Sequence, residues 1–307
     1  MSDLAARLRE GDLTVAPAVL NLVENRARRA DAAALLAAVG TEAPAHIVGV
    51  TGPPGSGKST LLSALVREWR SRDRSVAVLA VDPSSKRSGG ALLGDRARIE
   101  TDPRDRRVFI RSMAAGERLG GLAPATRAGA QALAVAFDVV VIETVGVGQS
   151  ETEVADAADT VAVVVQPGSG DALQFLKSGI METPDVLVVT KADLGVIATR
   201  ARRDLHAALR SLGAGEVPVV AVACVPPVTG VGELVDALDA HRERLDLAAS
   251  RTRSRRAGAL ADFLSERGEA GLRALGGRRA ATRFLGEQDP GLSEPDLVKT
   301  LEVRADA

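Results

Sequence analysis

The sequence has little cysteine and few aromatic residues. Its 307 residues contain one cysteine, Cys224, which excludes an internal disulfide framework and fits a reducing compartment. Aromatic residues make up 2% of the chain, so the core must be built from Val, Leu, Ile and Ala. No run approaches the roughly 18 apolar residues of a membrane span. The first 20 residues mix charges and lack a continuous apolar core, so we expect no signal peptide and a cytoplasmic protein.

The chain also lacks an excess of acidic or basic residues, with 40 Asp and Glu against 39 Lys and Arg. The formal net charge is -1, which gives no argument for a nucleic-acid or membrane partner. Only five of the 39 basic residues are lysines. A coding bias toward arginine explains the ratio, but a lysine kept against that bias suggests that a compact point charge is needed there. The five are Lys58, Lys86, Lys177, Lys191 and Lys299.

The hydrophobic pattern predicts three regions. Residues 1–44 have apolar positions at helical spacing and form an N-terminal helical extension, and residues 246–307 form a C-terminal helical arm and tail. Between them, residues 45–245 alternate short apolar runs with helical stretches. Most of these runs are continuous rather than alternating, which is typical of a mostly parallel sheet covered by helices in an α/β fold. The predicted strands are 47–51, 76–82, 108–112, 138–144, 160–166, 186–191 and 217–223.

A phosphate-binding loop follows the first predicted strand. The string "GPPGSGKS" fits G-x-x-x-x-G-K-S/T, and it lies between a strand and a helix as that motif requires. Its glycines let backbone N–H groups turn toward phosphates, while Lys58 bridges the terminal phosphates and the Ser59 hydroxyl binds Mg²⁺. The predicted nucleotide-binding residues of the loop are Gly52, Pro53, Pro54, Gly55, Ser56, Gly57, Lys58, Ser59 and Thr60.

Two carboxylates after the second strand are candidate metal ligands. Asp82 ends that strand, and the carboxyl ends of parallel strands share one edge of the sheet with the phosphate loop. Asp95 follows in a segment rich in Ser and Gly, which is typical of a loop that closes over a γ-phosphate. A helix cap or turn residue is the alternative for each.

The string "FDVVVIETVGVGQSE" has the pattern of a γ-phosphate sensor. Glu143 near the end of this strand is predicted to order a Mg²⁺-bound water or polarise the attacking one. Gly146 lets its N–H approach the γ-phosphate, so that the loop can respond to hydrolysis. Gln149 is a candidate for positioning water, and a solvated loop residue is the equal alternative.

The string "TKADL" predicts which base is bound. An Asp at a strand end accepts both N1–H and N2–H of guanine, which adenine cannot match, so Asp193 selects guanine while the stem of Lys191 packs along the base. A later loop, Cys224, Val225 and Pro226, is predicted to bring a backbone N–H to the guanine O6. GTP or GDP with Mg²⁺ is therefore the predicted ligand set.

The histidines give no metal signature. Asp204 and His206 form a D-x-H pair, but they fall in an amphipathic helix and Leu209 stands where a cobalamin-binding motif needs glycine. His46, His206 and His241 are scattered along the chain. With a single cysteine, this pattern does not indicate a nickel or zinc carrier.

Taken in order, these motifs resemble those of the MeaB/ArgK family of P-loop GTPases. The resemblance covers roughly residues 10–245, and "ETVGVGQSE" is its most specific string. It implies a homodimeric GTPase with a three-layer αβα core and a C-terminal dimerisation arm, which acts as a chaperone for adenosylcobalamin-dependent acyl-CoA mutases, chiefly methylmalonyl-CoA mutase. GTP binding and hydrolysis would gate cofactor loading and protect the mutase. The resemblance also makes Asp171, Gln174 and Lys177 candidate switch residues.

Several positions depart from the family pattern. Thr190 replaces the usual Asn, and Cys224 replaces the usual Ser of the last guanine loop. Lys86, Arg87 and the extra acid Glu117 change the first mobile segments. These changes leave open which mutase is served. A P-loop kinase acting on a small molecule or a protein, and a metallochaperone GTPase, are the alternative functions.

Overall fold

The computed structural model of the chain describes residues 2–82, 99–114, 123–144, 150–168 and 184–306. These ranges contain one seven-stranded parallel sheet and eleven α-helices. The strands are β1 (His46–Thr51), β2 (Val76–Asp82), β3 (Val108–Ala114), β4 (Val139–Thr144), β5 (Thr160–Val165), β6 (Val186–Val189) and β7 (Val219–Ala221). The helices are α1 (Ser2–Arg9), α2 (Ala16–Glu24), α3 (Arg29–Val39), α4 (Lys58–Ser71), α5 (Pro124–Leu133), α6 (Ser150–Ala157), α7 (Val196–Ser211), α8 (Val231–Glu243), α9 (Leu247–Ala274), α10 (Arg278–Gly286) and α11 (Glu294–Ala305).

The strand order places β1 at a topological switch point. The order is β3-β2-β4-β1-β5-β6-β7, so the chain leaves β1 to one side and later crosses to the other side for β5. In open parallel sheets, ligands bind outside the carboxyl ends of the strands at such a reversal. Register confirms the alignment of the edge, since Val50 of β1 lies beside Glu143 of β4.

Helices cover both faces of the sheet, which confirms the predicted three-layer αβα fold. On one face, α4 and α8 bury Leu61, Trp69 and Leu234 against the sheet. On the other face, α5 and α6 bury Leu133 and Val154 in a second cluster. The inner strands β1, β4, β5 and β6 are fully buried because they are covered on both sides, whereas the edge strand β3 is mostly half-buried.

The terminal helices pack as two further clusters. Helices α1–α3 share a small apolar core with α5. Helices α9–α11 form another cluster around Phe263 and Leu301, and α9 bends at Gly268, whose φ is 58°. Among the described residues, no helix has both the length and the apolar character needed to cross a membrane.

Two strands are shorter than the sequence predicts by two residues or more, for local reasons. β6 ends at Val189 rather than at residue 191, because Lys191 adopts a left-handed conformation with φ 54°. β7 begins after Pro218, which has no N–H to donate, and ends at Ala221. The chain then turns, and Ala223 forms an antiparallel bridge with Thr229. Both early endings shape the loops that carry the predicted base-binding residues.

Candidate functional site

The phosphate loop lies between β1 and α4, as predicted. Gly52 has φ 150°, and a Cβ there would lie 2.1 Å from the carbonyl oxygen of Val164 on β5. Gly57, with φ 90°, precedes α4. Only glycine fits the first position, because any side chain would collide with backbone. The loop is therefore held tightly against the neighbouring strand.

The lysine of the loop turns back into it. Lys58 is 7% exposed, and its Nζ donates to the carbonyl oxygens of Gly52 at 2.8 Å and Pro53 at 3.1 Å. This places a buried cation inside the curve of the loop, where the terminal phosphates of a nucleotide would meet it. Ser59 is half-buried and Thr60 exposed at the start of α4.

An unsatisfied hydroxyl also lines this loop. Ser56 is fully buried, and its Oγ has no hydrogen-bond partner among the residues that the structure describes. A buried polar atom without a partner carries a free-energy cost. The Ser56 hydroxyl can donate a hydrogen bond, so its position in this glycine-rich loop fits a ligand with anionic oxygens. Pro54 and Gly55 form the exposed tip of the loop.

Glu143 lies at the carboxyl edge of the sheet, beside the phosphate loop. It is 2% exposed, and it aligns with Val50 of β1 and Ala80 of β2. Alternation along β4 puts it on the same face as Val141, which packs in the cluster that contains α4. A carboxylate on this face is placed to serve a metal or a water at the phosphates.

The other predicted metal and switch residues lie at or outside the limits of the described structure. Asp82 is the last residue of β2, and its backbone aligns with Ala114 of β3 at the same edge as Glu143. Its side chain is outside the described part. Six further predicted residues lie outside the described ranges: Asp95, Gly146, Gln149, Asp171, Gln174 and Lys177.

Residues 190–194, the predicted base-binding segment, are called the base loop. Its first residue, Thr190, is hydrogen-bonded to the phosphate loop. This residue is 3% exposed, and its Oγ1 donates to the carbonyl oxygen of Ser56 at 2.6 Å. The carbonyl oxygen of Val165 lies 3.1 Å from the same Oγ1. Its N–H donates to Val165 O at 2.9 Å. A hydroxyl therefore bridges the two loops at the position where the resembling family has an amide.

Lys191 makes a second link between these loops. Its Nζ donates to Gly55 O at 3.3 Å and to Gln166 Oε1 at 2.5 Å. Gln166 is not among the site residues predicted from the sequence. The only signal was its position directly after β5, at the same edge of the sheet as the loops. The Lys191 ammonium therefore joins the phosphate loop to the residue that follows β5.

Asp193 and Cys224 are neighbours in the structure. Asp193 is exposed on a short 3₁₀ helix, Ala192–Leu194, and the N–H of Ala192 donates to Val222 O at 3.0 Å, which joins this turn to the chain leaving β7. Burial raises the pKa of the half-buried Cys224 thiol; the positive charge of Arg67 opposes this rise, and the negative charge of Asp193 adds to it. The two predicted base-binding segments therefore converge.

The rest of the second segment is also solvent-accessible. Val225 is 49% exposed, and the peptide bond between Pro226 and Pro227 is cis. These residues follow Cys224 at the mouth of the site, where the sequence predicts contact with the base.

The histidines are less scattered in space than in sequence. His46 Nε2 lies 2.7 Å from Thr160 Oγ1, which lies 2.9 Å from His241 Nδ1. Burial lowers the pKa of His46. This network is at the amino edge of the sheet, opposite the loops described above. In the described ranges, no three His, Cys, Asp or Glu side chains are grouped so that they could hold a metal ion.

The fold and site define a class of protein. A phosphate loop after the switch-point strand, a buried acid near the end of β4 and a T-K-A-D base loop after β6 are the parts of a P-loop GTPase. The chain belongs to the family described as "Methylmalonyl Co-A mutase-associated GTPase MeaB", whose model matches residues 16–268.

Individual relatives agree with this assignment. Over 79% of this chain and 75% of its relative, it is 41% identical to a Mycobacterium tuberculosis protein named "Probable GTPase". It is 42% identical to the mouse "Methylmalonic aciduria type A homolog, mitochondrial", where the match covers 54% of this chain and 40% of the mouse protein. The crystal structure of a "LAO/AO transport system kinase" superposes with a TM-score of 0.67 at 26% identity, covering 99% of this chain and 97% of the other.

Proposed function

We propose that the site binds GTP and GDP, with guanine chosen by Asp193. The observation that carries this proposal is the direct bonding of the base loop to the phosphate loop, through Thr190 to Ser56 and Lys191 to Gly55. Because the two loops form one hydrogen-bonded unit, a nucleotide that spans them would meet the base-reading and phosphate-binding groups together.

For hydrolysis, the residues divide into those that hold phosphate and those that serve water. Lys58 is placed to neutralise the charge that grows on the terminal phosphates. Ser59, Asp82, Asp95 and Glu143 are the proposed metal set, and Mg²⁺, when bound, neutralises charge on the β- and γ-phosphate oxygens. Glu143, with Gly146 and Gln149, would orient the attacking water. We expect a slow intrinsic rate, on the order of 10⁻³–10⁻² s⁻¹, in the absence of a partner.

We further propose that this cycle gates the loading of adenosylcobalamin into a methylmalonyl-CoA mutase and protects that mutase. The family description and the name of the mouse relative support this partner. In this role Asp171, Gln174 and Lys177 would be switch residues that respond to the γ-phosphate.

The C-terminal helices α9–α11 are the proposed dimerisation arm. Their separate apolar cluster supports an independently packed unit. Light scattering of the full chain tests this directly, since a monomeric mass at micromolar concentration would contradict it.

Cofactor transfer tests the gating proposal. The protein is loaded with GTP, with a non-hydrolysable GTP analogue or with GDP, and mixed with apo-methylmalonyl-CoA mutase and adenosylcobalamin, while cobalamin absorbance is followed. We expect GTP to support a loading rate that the analogue does not. Equal rates under all three conditions, with no nucleotide-dependent complex, would remove the mutase from the account.

A parallel assay separates the kinase alternative. GTP hydrolysis and ATP hydrolysis are measured without a mutase, and then with candidate phosphate acceptors. Release of inorganic phosphate from GTP, without a labelled acceptor, is expected. Stoichiometric transfer of phosphate to an acceptor other than water would favour the kinase function instead.

A further inference from the structure

A small cavity lies where the three regions of the chain meet, at a distance from the nucleotide loops. Its walls come from the end of α3, from α5 and α6, and from α9 and the start of α11. About 40 Å³ is open to the centre of a water-sized sphere, which is room for two or three waters or one small ion. Besides Ser254, the charged residues of its lining are the arginines Arg127, Arg251 and Arg255 and the carboxylates Asp156, Asp159 and Glu294.

Arg255 is a buried cation that forms no salt bridge with any of the residues that the structure describes. It is 6% exposed, and its Nη2 donates only to neutral oxygens, Thr252 Oγ1 at 3.1 Å and Pro290 O at 2.7 Å. Its Nε has no acceptor, and no carboxylate of the described residues lies within 4.0 Å of its guanidinium. A charge that is removed from water destabilises the fold unless an opposite charge or a bound ion compensates it.

The other two arginines of the cavity are compensated. Arg251 donates to Asp159 at 2.6 and 2.8 Å. Arg127 donates to Asp262 at 2.5 Å and to Glu294 at 3.1 Å. Among the described residues, the contrast singles out Arg255 as the cavity arginine that forms no salt bridge.

The described acids that line the cavity are Asp156, Asp159 and Glu294, and none of them forms a salt bridge with Arg255. Burial raises the pKa of Glu294 to about 7, so near neutral pH this carboxyl is partly protonated. Burial lowers the pKa of Arg255, and the positive charges of Arg251 and Arg256 lower it further. The charged form of Arg255 is therefore destabilised by its surroundings. Asp159 and Asp262 form salt bridges with Arg251 and Arg127 instead.

We propose that this cavity is a binding site for a small tetrahedral oxyanion of the phosphate class, held by Arg255 with Ser254. A guanidinium with unused N–H groups matches the geometry of phosphate oxygens. Because the walls come from α6 of the core, α3 of the extension and α9 of the arm, an ion bound there would join all three regions. Binding should therefore raise the melting temperature of the whole chain.

The test measures inorganic phosphate binding in a chain whose phosphate loop is disabled. Phosphate is titrated by calorimetry into the full-length Lys58→Ala variant, alone and combined with Arg255→Met, while melting temperature is followed in phosphate and in chloride. The matched control is Arg253→Met, which removes an exposed arginine from the same helix. This design does not depend on GTP binding, so its failure and that of the nucleotide site can be told apart.

We expect phosphate to bind the Lys58→Ala chain and the Arg253→Met control alike, and Arg255→Met to weaken binding by about tenfold or more. Arg255→Lys should bind with intermediate strength, because it keeps the charge but loses the planar fork. Equal binding with Arg255→Met, or no binding in the parent chain, overturns the proposal. An anomalous tungstate peak beside Arg255 in crystals of the full chain would support it, and a peak confined to the phosphate loop would contradict it.

Discussion

Replacing Thr190 with valine should weaken both the fold and the nucleotide site. Valine has nearly the same shape, so the change removes a hydroxyl without opening a cavity. The Val165 carbonyl keeps its bond from the Thr190 N–H, at 2.9 Å, so the loss falls on the carbonyl oxygen of Ser56. Leaving a buried acceptor unpaired costs about 1–2 kcal/mol.

Two measurements test this loss of free energy, one on unfolding and one on nucleotide affinity. Urea unfolding monitored by circular dichroism should show the free energy of unfolding reduced by about 1–2 kcal/mol. Titration with a fluorescent GDP should show an affinity lowered by up to about tenfold, since about 1.4 kcal/mol equals one factor of ten. Thr190→Asn should recover much of the affinity, because an amide N–H can reach the same kind of acceptor.

The control is Thr199→Val on α7. Thr199 also donates its hydroxyl to a backbone carbonyl, that of Gly195 at 3.1 Å, but it is exposed. Water replaces such a bond, so the change should stay within about 0.5 kcal/mol. If Thr190→Val behaves like this control in both assays, the bridge between the two loops has no energetic role and the reasoning is wrong.

Three other substitutions test separate parts of the structure. Lys58→Ala should lower affinity for fluorescent GDP by at least about tenfold, because it removes a buried cation from the phosphate loop, and unchanged affinity would contradict this role. Glu143→Gln should retain GTP binding but slow single-turnover hydrolysis by at least about tenfold, whereas a normal rate would exclude it from the mechanism. Glu294→Gln should change the pH dependence of stability. Burial raises the pKa of Glu294 from 4.5 to about 7, so the folded chain holds this proton longer than the unfolded chain, and stability falls as pH rises through that range. His46, whose pKa burial lowers, acts in the opposite direction and is common to both proteins. Relative to the variant, the wild type should therefore lose on the order of 2–3 kcal/mol between pH 5 and 8 in urea titrations, and parallel pH profiles would contradict the assignment.

The sheet and the phosphate loop could be predicted because their signals are local. A strand covered on both faces must be a continuous apolar run, and all seven such runs became strands of one parallel sheet. The loop motif has a fixed spacing, and Gly52 shows why, since no Cβ fits there.

Contacts between distant parts of the chain could not be predicted in this way. Arg127 meets Glu294 across 167 residues, and Thr160 joins two histidines that are far apart in sequence. No local sequence pattern marks any of these residues, because only the packing of the terminal helices and α8 on the core brings them together. The role of Thr190 was hidden for the same reason, because its partner Ser56 is 134 positions away.

The most direct test of the guanine assignment is exchange of the base preference. Asp193→Asn replaces a carboxylate that accepts two guanine N–H groups with an amide that can donate to the C2 carbonyl of xanthine. The control is Asp204→Asn, the same change on α7, where Asp204 lies 3.8 Å from Arg200. Affinities for GDP and XDP are measured for the three proteins. We expect wild type and control to prefer GDP and Asp193→Asn to prefer XDP, each by at least about tenfold. An Asp193→Asn protein that still prefers GDP would contradict the account.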